Sequence, residues 1–161
     1  MKIQTKLTIL ILLFVATTGF SQSLKQVKLN LSAVQKQSTE VLNALNYFAK
    51  KTDRSQRKLI ANRIVREATT LSTKAYTAYK SVISYKNSNN SKGVSSSRIE
   101  AMSSNAYFIY VKAKNIARDA KKAKKSPSKQ LYQSMKKAYL KIADNYDVAK
   151  NAYNNIVKRR R

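Results

Sequence analysis

Three serine–lysine pairs have the Ser-x-x-Lys spacing that places a nucleophile beside its base in penicillin-interacting enzymes. They are Ser55 with Lys58, Ser126 with Lys129, and Ser134 with Lys137. Those enzymes also carry Ser-Asp-Asn and Lys-Thr-Gly motifs, and neither occurs in this chain. Because a sequence rich in serine and lysine produces such pairs by chance, we predict no acyl-transfer site.

Two carboxylates could in principle do acid–base chemistry, since Asp144 and Asp147 lie three residues apart on a predicted helix. Lys141 and Lys150 flank them at a spacing that favours ion pairs on the solvated face. The chain has no histidine and no cysteine, which excludes imidazole and thiolate metal sites and haem held by histidine. We therefore predict a non-enzymatic protein with no catalytic, cofactor-binding or metal-binding residues.

The remaining chemistry is that of positive charge. The chain has 33 Lys and Arg residues against 7 Asp and Glu residues, a net charge of +26, which predicts an anionic partner. The cations are densest around two predicted turns, which meet at one end if the chain forms a bundle. We call these ten residues the cationic pole and predict that they bind anions: Lys50, Lys51, Arg54, Arg57, Lys58, Lys121, Lys122, Lys124, Lys125 and Lys129.

The N-terminal residues 1–21 have the pattern of a secretory signal peptide. Two lysines precede an apolar run from Leu7 to Ala16, and small residues follow at Gly19 and Ser21. This pattern predicts cleavage before Gln22. The apolar run is too short to span a bilayer as a permanent helix.

Cleavage would leave residues 22–161 as a single domain, secreted or periplasmic, with no transmembrane segment. Removing residues 1–21 takes away two lysines and no acid, so 31 basic and 7 acidic residues remain and the net charge is +24. Without cysteine the domain has no disulfide and no lipid-attachment site, so an apolar core must stabilise it.

The elements that position the cations are predicted to be four long helices. Apolar residues recur at alternating three- and four-residue steps, which is typical of a helix with one buried stripe. The stripes run from Leu24 to Phe48, Ile60 to Tyr85, Ile99 to Ala123 and Leu131 to Ile156. The predicted helices cover about 24–51, 54–86, 98–125 and 127–158.

Capping residues support these boundaries. Asp53 with Gln56, and Ser97 with Glu100, have the spacing of a capping box, in which two side chains satisfy free backbone N–H groups. Ser126 precedes a proline, which predicts a cap followed by proline at the first helical position.

The connections predict an all-α, up-down-up-down four-helix bundle. Two connections are short enough to make their helices antiparallel. The polar connection over residues 87–96 either closes the bundle or joins two hairpins that can separate. We favour the closed bundle, because each hundred Å² of apolar surface left in water costs about 2.5 kcal/mol.

Tyrosines recur at two kinds of position. Tyr132, Tyr139, Tyr146 and Tyr153 follow one another every seven residues on the fourth helix. They could form a ladder that stacks sugars or bases, or a boundary row that shields the alanine-rich core, and the packing interval favours the boundary row. The dipeptide Ala-Tyr also recurs, with tyrosines at Tyr76, Tyr79, Tyr107, Tyr139 and Tyr153.

These features predict a non-enzymatic protein that binds an anionic polymer or surface: lipopolysaccharide, acidic polysaccharide, anionic membrane or extracellular nucleic acid. A secreted location disfavours chromosomal DNA. One alternative is a periplasmic helical chaperone or stress adaptor, which would bind unfolded chains on the apolar faces of separated hairpins. A secreted antibacterial effector is less favoured, because the chain has no tryptophan and bundle packing uses its apolar stripes.

Overall fold

The computed structural model describes residues 24–159, and the predicted signal peptide lies outside that range. Four α-helices make up most of the described chain: α1 (Leu24–Lys50), α2 (Arg54–Lys86), α3 (Ser96–Lys125) and α4 (Lys129–Lys158). A single 3₁₀ turn, Asn89–Ser91, lies between α2 and α3. The prediction of an all-helical fold with four helices is confirmed, and residues 24–159 contain no strand.

The four helices pack as an antiparallel bundle. Arg98, near the start of α3, donates to the carbonyl of Asn155, near the end of α4. Ser134, early in α4, donates to Asp119, late in α3. The helices of the α1–α2, α2–α3 and α1–α4 pairs are also antiparallel. No described contact joins the diagonal pairs α1–α3 or α2–α4. Both short turns therefore lie at one end of the bundle.

The core is built from the predicted apolar stripes. Every member of the α3 stripe from Ile99 to Ala123 is buried. The other stripes are buried over most of their length. They are partly exposed near helix ends at Leu24, Ile60 and Leu131, and within α1 and α4 at Ser38, Ala138 and Asn145. Alanines in α2, α3 and α4 let the helices approach closely, and isoleucine and methionine fill the remaining space.

One predicted cap is confirmed and two are wrong. The Asp53 carboxylate accepts the backbone N–H of Gln56 and starts α2. At α4 the cap is Ser128, whose hydroxyl accepts the N–H of Leu131, and Pro127 lies outside the helix. Ser126 is not the cap because its own N–H donates to the Lys122 carbonyl and closes α3.

The predicted box between Ser97 and Glu100 does not form. Helix α3 begins two residues earlier than predicted, with Ser95 at the cap position and no side-chain cap bond. The Glu100 carboxylate instead accepts the Ser96 hydroxyl at 3.3 Å and lies 3.6 Å from the Lys86 ammonium. The box does not form because Ser97 lies inside the helix and not at the cap position that the box requires.

The seven-residue tyrosine row of α4 packs towards α1. The Tyr146 hydroxyl donates to Gln35 of α1 at 2.9 Å, and the Tyr132 ring stacks on Phe48 of α1 with centroids 6.3 Å apart. Burial raises the pKa of Tyr139 and of Tyr146, which keeps these phenols protonated. The row has the predicted boundary role and is not a free stacking ladder.

A polar bridge between α1 and α2 was not predicted from the sequence. Gln37 is buried and donates to the Glu67 carboxylate at 2.8 Å, while Lys74 donates to the Gln37 carbonyl oxygen at 3.2 Å. Burial raises the pKa of Glu67, but hydrogen bonds from Arg66 and Gln37 offset this and the net shift is downward. Glu67 is therefore held ionised as a structural anion.

Among residues 24–159, no helix combines the length and the apolar character needed to cross a bilayer.

Candidate anion-binding site

The antiparallel packing brings residues from both cationic turns to one end of the bundle. Arg57 from the start of α2 and Lys129 from the start of α4 line the same cavity of about 280 Å³. Phe48 at the end of α1 and Tyr132 form its apolar part. The two turns thus share a surface, as the definition of the cationic pole requires.

Nine of the ten pole residues are exposed, and Arg57 is partly buried. The Arg57 guanidinium lies 5.9 Å from the centroid of the Phe48 ring, and its Nε donates to the Lys51 carbonyl. These contacts hold one cation in a fixed direction. The remaining lysines and Arg54 project into solvent, where the mobile side chains can adjust to a polymer.

The carboxylates near the pole are already engaged within the protein. Asp53 accepts hydrogen bonds from the Ser55 hydroxyl and the Gln56 N–H, and these lower its pKa. Asp119 is buried, accepts the Ser134 hydroxyl at 2.7 Å and lies 3.6 Å from Arg118. Among residues 24–159, none of the ten pole cations forms an ion pair.

The pole cations also oppose the dipoles of two helices. Arg54, Arg57 and Lys58 lie at the start of α2, and Lys129 lies at the start of α4, where backbone N–H groups already create positive potential. Neither helix has an acidic residue in its first turn. The lysines in the last turn of α3 and Lys50 in the last turn of α1 suit their helix dipoles. The cations at the two helix starts therefore gain nothing from the helix dipoles.

Two of the three serines considered for catalysis are hydrogen-bonded to carboxylates. Ser55 and Ser134 donate to Asp53 and Asp119, and neither hydroxyl is bonded to the lysine that follows three residues later. Asp144 lies 3.6 Å from the Lys141 ammonium, as expected for a solvated helix pair. In the described range, no group of three or more acidic, histidine or cysteine side chains could hold a metal ion.

Comparison with family models, with curated proteins and with solved structures finds no match for this chain.

A second feature that was not predicted from the sequence is a tyrosine cluster on the outer side of the α2–α3 pair. Tyr76 and Tyr79 of α2 pack against Tyr107 and Tyr110 of α3, with ring centroids 5.2 to 5.9 Å apart. Three of the four belong to the Ala-Tyr dipeptides. The spacing of these dipeptides would predict the cluster only if the register of α2 against α3 were already known.

Proposed function

We propose that this chain is a non-enzymatic, extracytoplasmic protein that holds an anionic polymer or surface through the cationic pole. The observation that carries the proposal is that none of the ten cations forms an ion pair with a described residue, although Asp53 and Asp119 lie in the same region. Unpaired cations focused at one end raise the local concentration of anions and leave donors free to contact them.

The burial of the apolar stripes favours this function over the alternatives. A chaperone that binds unfolded chains on separated hairpins needs those stripes in contact with solvent, and a membrane-permeabilising effector needs them for lipid. In the closed bundle the stripes are consumed by helix packing. The cationic pole is then the surface whose charge most clearly favours a particular class of partner, an anion.

The extracytoplasmic location rests on the predicted signal peptide. We expect the native product to begin at Gln22 and to be recovered from periplasm or culture medium. Intact mass and N-terminal sequencing of the protein purified from its own cells would establish this. A product that keeps Met1 and stays in the cytoplasm would contradict the location, and chromosomal nucleic acid would then become a candidate partner.

Salt dependence of binding tests the pole itself. Double-stranded DNA is a suitable probe because its charge spacing is regular and its bases are hidden from stacking. We expect tight binding at low salt and a steep negative slope of log affinity against log salt. The magnitude of this slope should decrease by up to about 0.9 for each lysine–phosphate contact removed. The test variant carries Lys121→Gln, Lys122→Gln, Lys124→Gln and Lys125→Gln.

The matched control removes four exposed lysines away from the pole: Lys25→Gln, Lys28→Gln, Lys36→Gln and Lys92→Gln. Both variants have the same net charge, so only the position of the removed charge differs. We expect the pole variant to flatten the slope much more than the control. Equal losses in the two variants would mean that net charge alone governs binding, and the pole would not be a site.

A further inference from the structure

The tyrosine cluster adjoins a groove between α2 and α3 and shares Tyr110 with it. Tyr76 and Tyr107 are 39% and 44% exposed, so their rings reach solvent while they contact their neighbours. The ring pairs within the cluster are tilted or stacked at interplanar angles of 29° to 57°. The result is a continuous aromatic surface on the outside of the α2–α3 pair.

Cations lie directly on this aromatic surface. The Lys80 ammonium is 5.1 Å from the centroid of Tyr76, and the Lys114 ammonium is 5.2 Å from the centroid of Tyr110. Lys114 also lies within hydrogen-bond distance of the Tyr110 hydroxyl. Each long side chain can leave its ring for a nearby anion, which exposes the ring face and supplies a counter-charge at the same point.

The groove continues from the tyrosines towards the cationic pole. A cavity of about 420 Å³ extends from Tyr110 and Lys114 past Arg118 to Lys121. Lys121 is one of the ten pole residues, so aromatic and cationic surfaces are joined without a break. Thr69 and Ser72 form the α2 wall and place hydroxyls along it.

Negative charge is nearly missing along the groove. At the end remote from the pole, Glu100 lies 3.6 Å from Lys86 and is neutralised by it. Asp119 accepts the Ser134 hydroxyl of α4 and lies 3.6 Å from Arg118, whose side chain is still 65% exposed. A ligand lying along this surface would meet the tyrosine rings first and then the cations that lead to the pole.

We infer that this groove, which we call the tyrosine groove, binds single-stranded nucleic acid, with bases stacked on the tyrosines and phosphates held by Lys80, Lys114 and Arg118. The inference rests on the proposed function, because the pole supplies the rest of the backbone contacts. Single strands are recognised by the combination of a cationic track and aromatic platforms, since every base has a π-face. Acidic polysaccharides have no planar aromatic faces, and a duplex hides its bases.

The test compares two oligomers of equal length and charge, a thymidine oligonucleotide and its abasic analogue. We expect the purified protein to bind the thymidine oligomer more tightly, by about fivefold or more for each stacked base. Because the chain has no tryptophan and ten tyrosines, stacking should also quench tyrosine fluorescence, and the abasic oligomer should not. The quenching measurement tests whether bases stack on tyrosines without any substitution in the protein.

Single substitutions then assign the preference to the groove. Tyr107→Leu and Tyr76→Leu should each reduce the thymidine preference by about fivefold and leave abasic binding unchanged. Tyr47→Leu is the matched control, because Tyr47 is 54% exposed and has Arg63 at 6.0 Å from its ring but lies on α1. Circular dichroism would verify that all three variants keep their helices.

The possible failures separate the two proposals. Equal binding of both oligomers, with dependence on the pole lysines, would overturn the tyrosine groove and leave the proposed function intact. Absence of binding to both oligomers and to double-stranded DNA would overturn both. Tyrosine-dependent binding of alginate without a thymidine preference would also overturn the inference, because the groove would then recognise sugar rings.

Discussion

Replacing Ile109 with alanine is expected to lower the free energy of unfolding by about 2 to 5 kcal/mol. Ile109 is fully buried in the middle of α3, the helix that packs against both α2 and α4. The stripe residues one turn before and after it are Ala106 and Ala113, which are too short to fill the cavity that the substitution leaves. The cost should therefore lie in the upper part of this range.

Urea denaturation followed by circular dichroism measures this change. Leu59→Ala is the matched control, because Leu59 is 70% exposed and its substitution should change the free energy of unfolding by less than about 0.5 kcal/mol. Similar losses at the two positions, or no loss at Ile109, would mean that the closed core is not the state in solution. The hairpins would then be free to separate, as the chaperone alternative requires.

The fold was predictable because the chain repeats one signal over long distances. Each stripe extends across about seven turns, so a few irregular positions do not obscure the helical period. The start of α2 was also predictable, since Asp53 and Gln56 make a local contact that depends only on neighbouring residues. Local chemistry and a long period together determined the helices.

Features that depend on two helices were less accessible. Glu100 has the spacing of a capping residue, yet Lys86 from α2 lies beside it in the bundle. Gln37 looks like a solvated polar residue until α2 brings Glu67 and Lys74 to it. The tyrosine groove likewise needs the register of α2 against α3, which no periodicity within one helix contains.

The candidate anion-binding site was predictable from the sequence only in part. The two cationic runs are visible in the sequence, and short turns were enough to predict their common end. The sequence could not show that Asp119 is turned away to Ser134, or that Arg57 is held against Phe48. These side-chain contacts leave the pole without a neutralising acid, and they follow from packing across helices.

The second large effect expected is an opposite change in stability and in binding when cations at helix starts are removed. The variant carries Arg54→Gln, Lys58→Gln and Lys129→Gln. Each of these exposed cations opposes a helix dipole and repels its neighbours within a Debye length of about 10 Å at 0.1 M salt. After allowance for solvent screening, their removal should stabilise the protein by roughly 1 kcal/mol at low salt and raise the Tm by about 2 to 4 °C.

The same variant should bind long-chain polyphosphate more weakly and with a flatter salt dependence, because three anion contacts are lost. A ligand at about 100 times its Kd stabilises the folded state by about 2.7 kcal/mol, so thermal melting with and without polyphosphate reports both properties. The unsubstituted protein should melt lower alone and gain more from the polymer.

A control with Lys36→Gln, Lys92→Gln and Lys137→Gln removes the same net charge from helix interiors in α1 and α4 and from a loop. It should gain less stability when alone and should retain most of the polymer-induced rise in Tm. If the helix-start variant were no more stable than this control, the pole would carry no excess repulsion. If it kept the full response to polyphosphate, those cations would not contact the polymer. If the pole is retained for an anionic partner, the helix-start variant should gain stability and lose polyphosphate binding together. Charge that served only solubility would not link the change in stability to a change in binding.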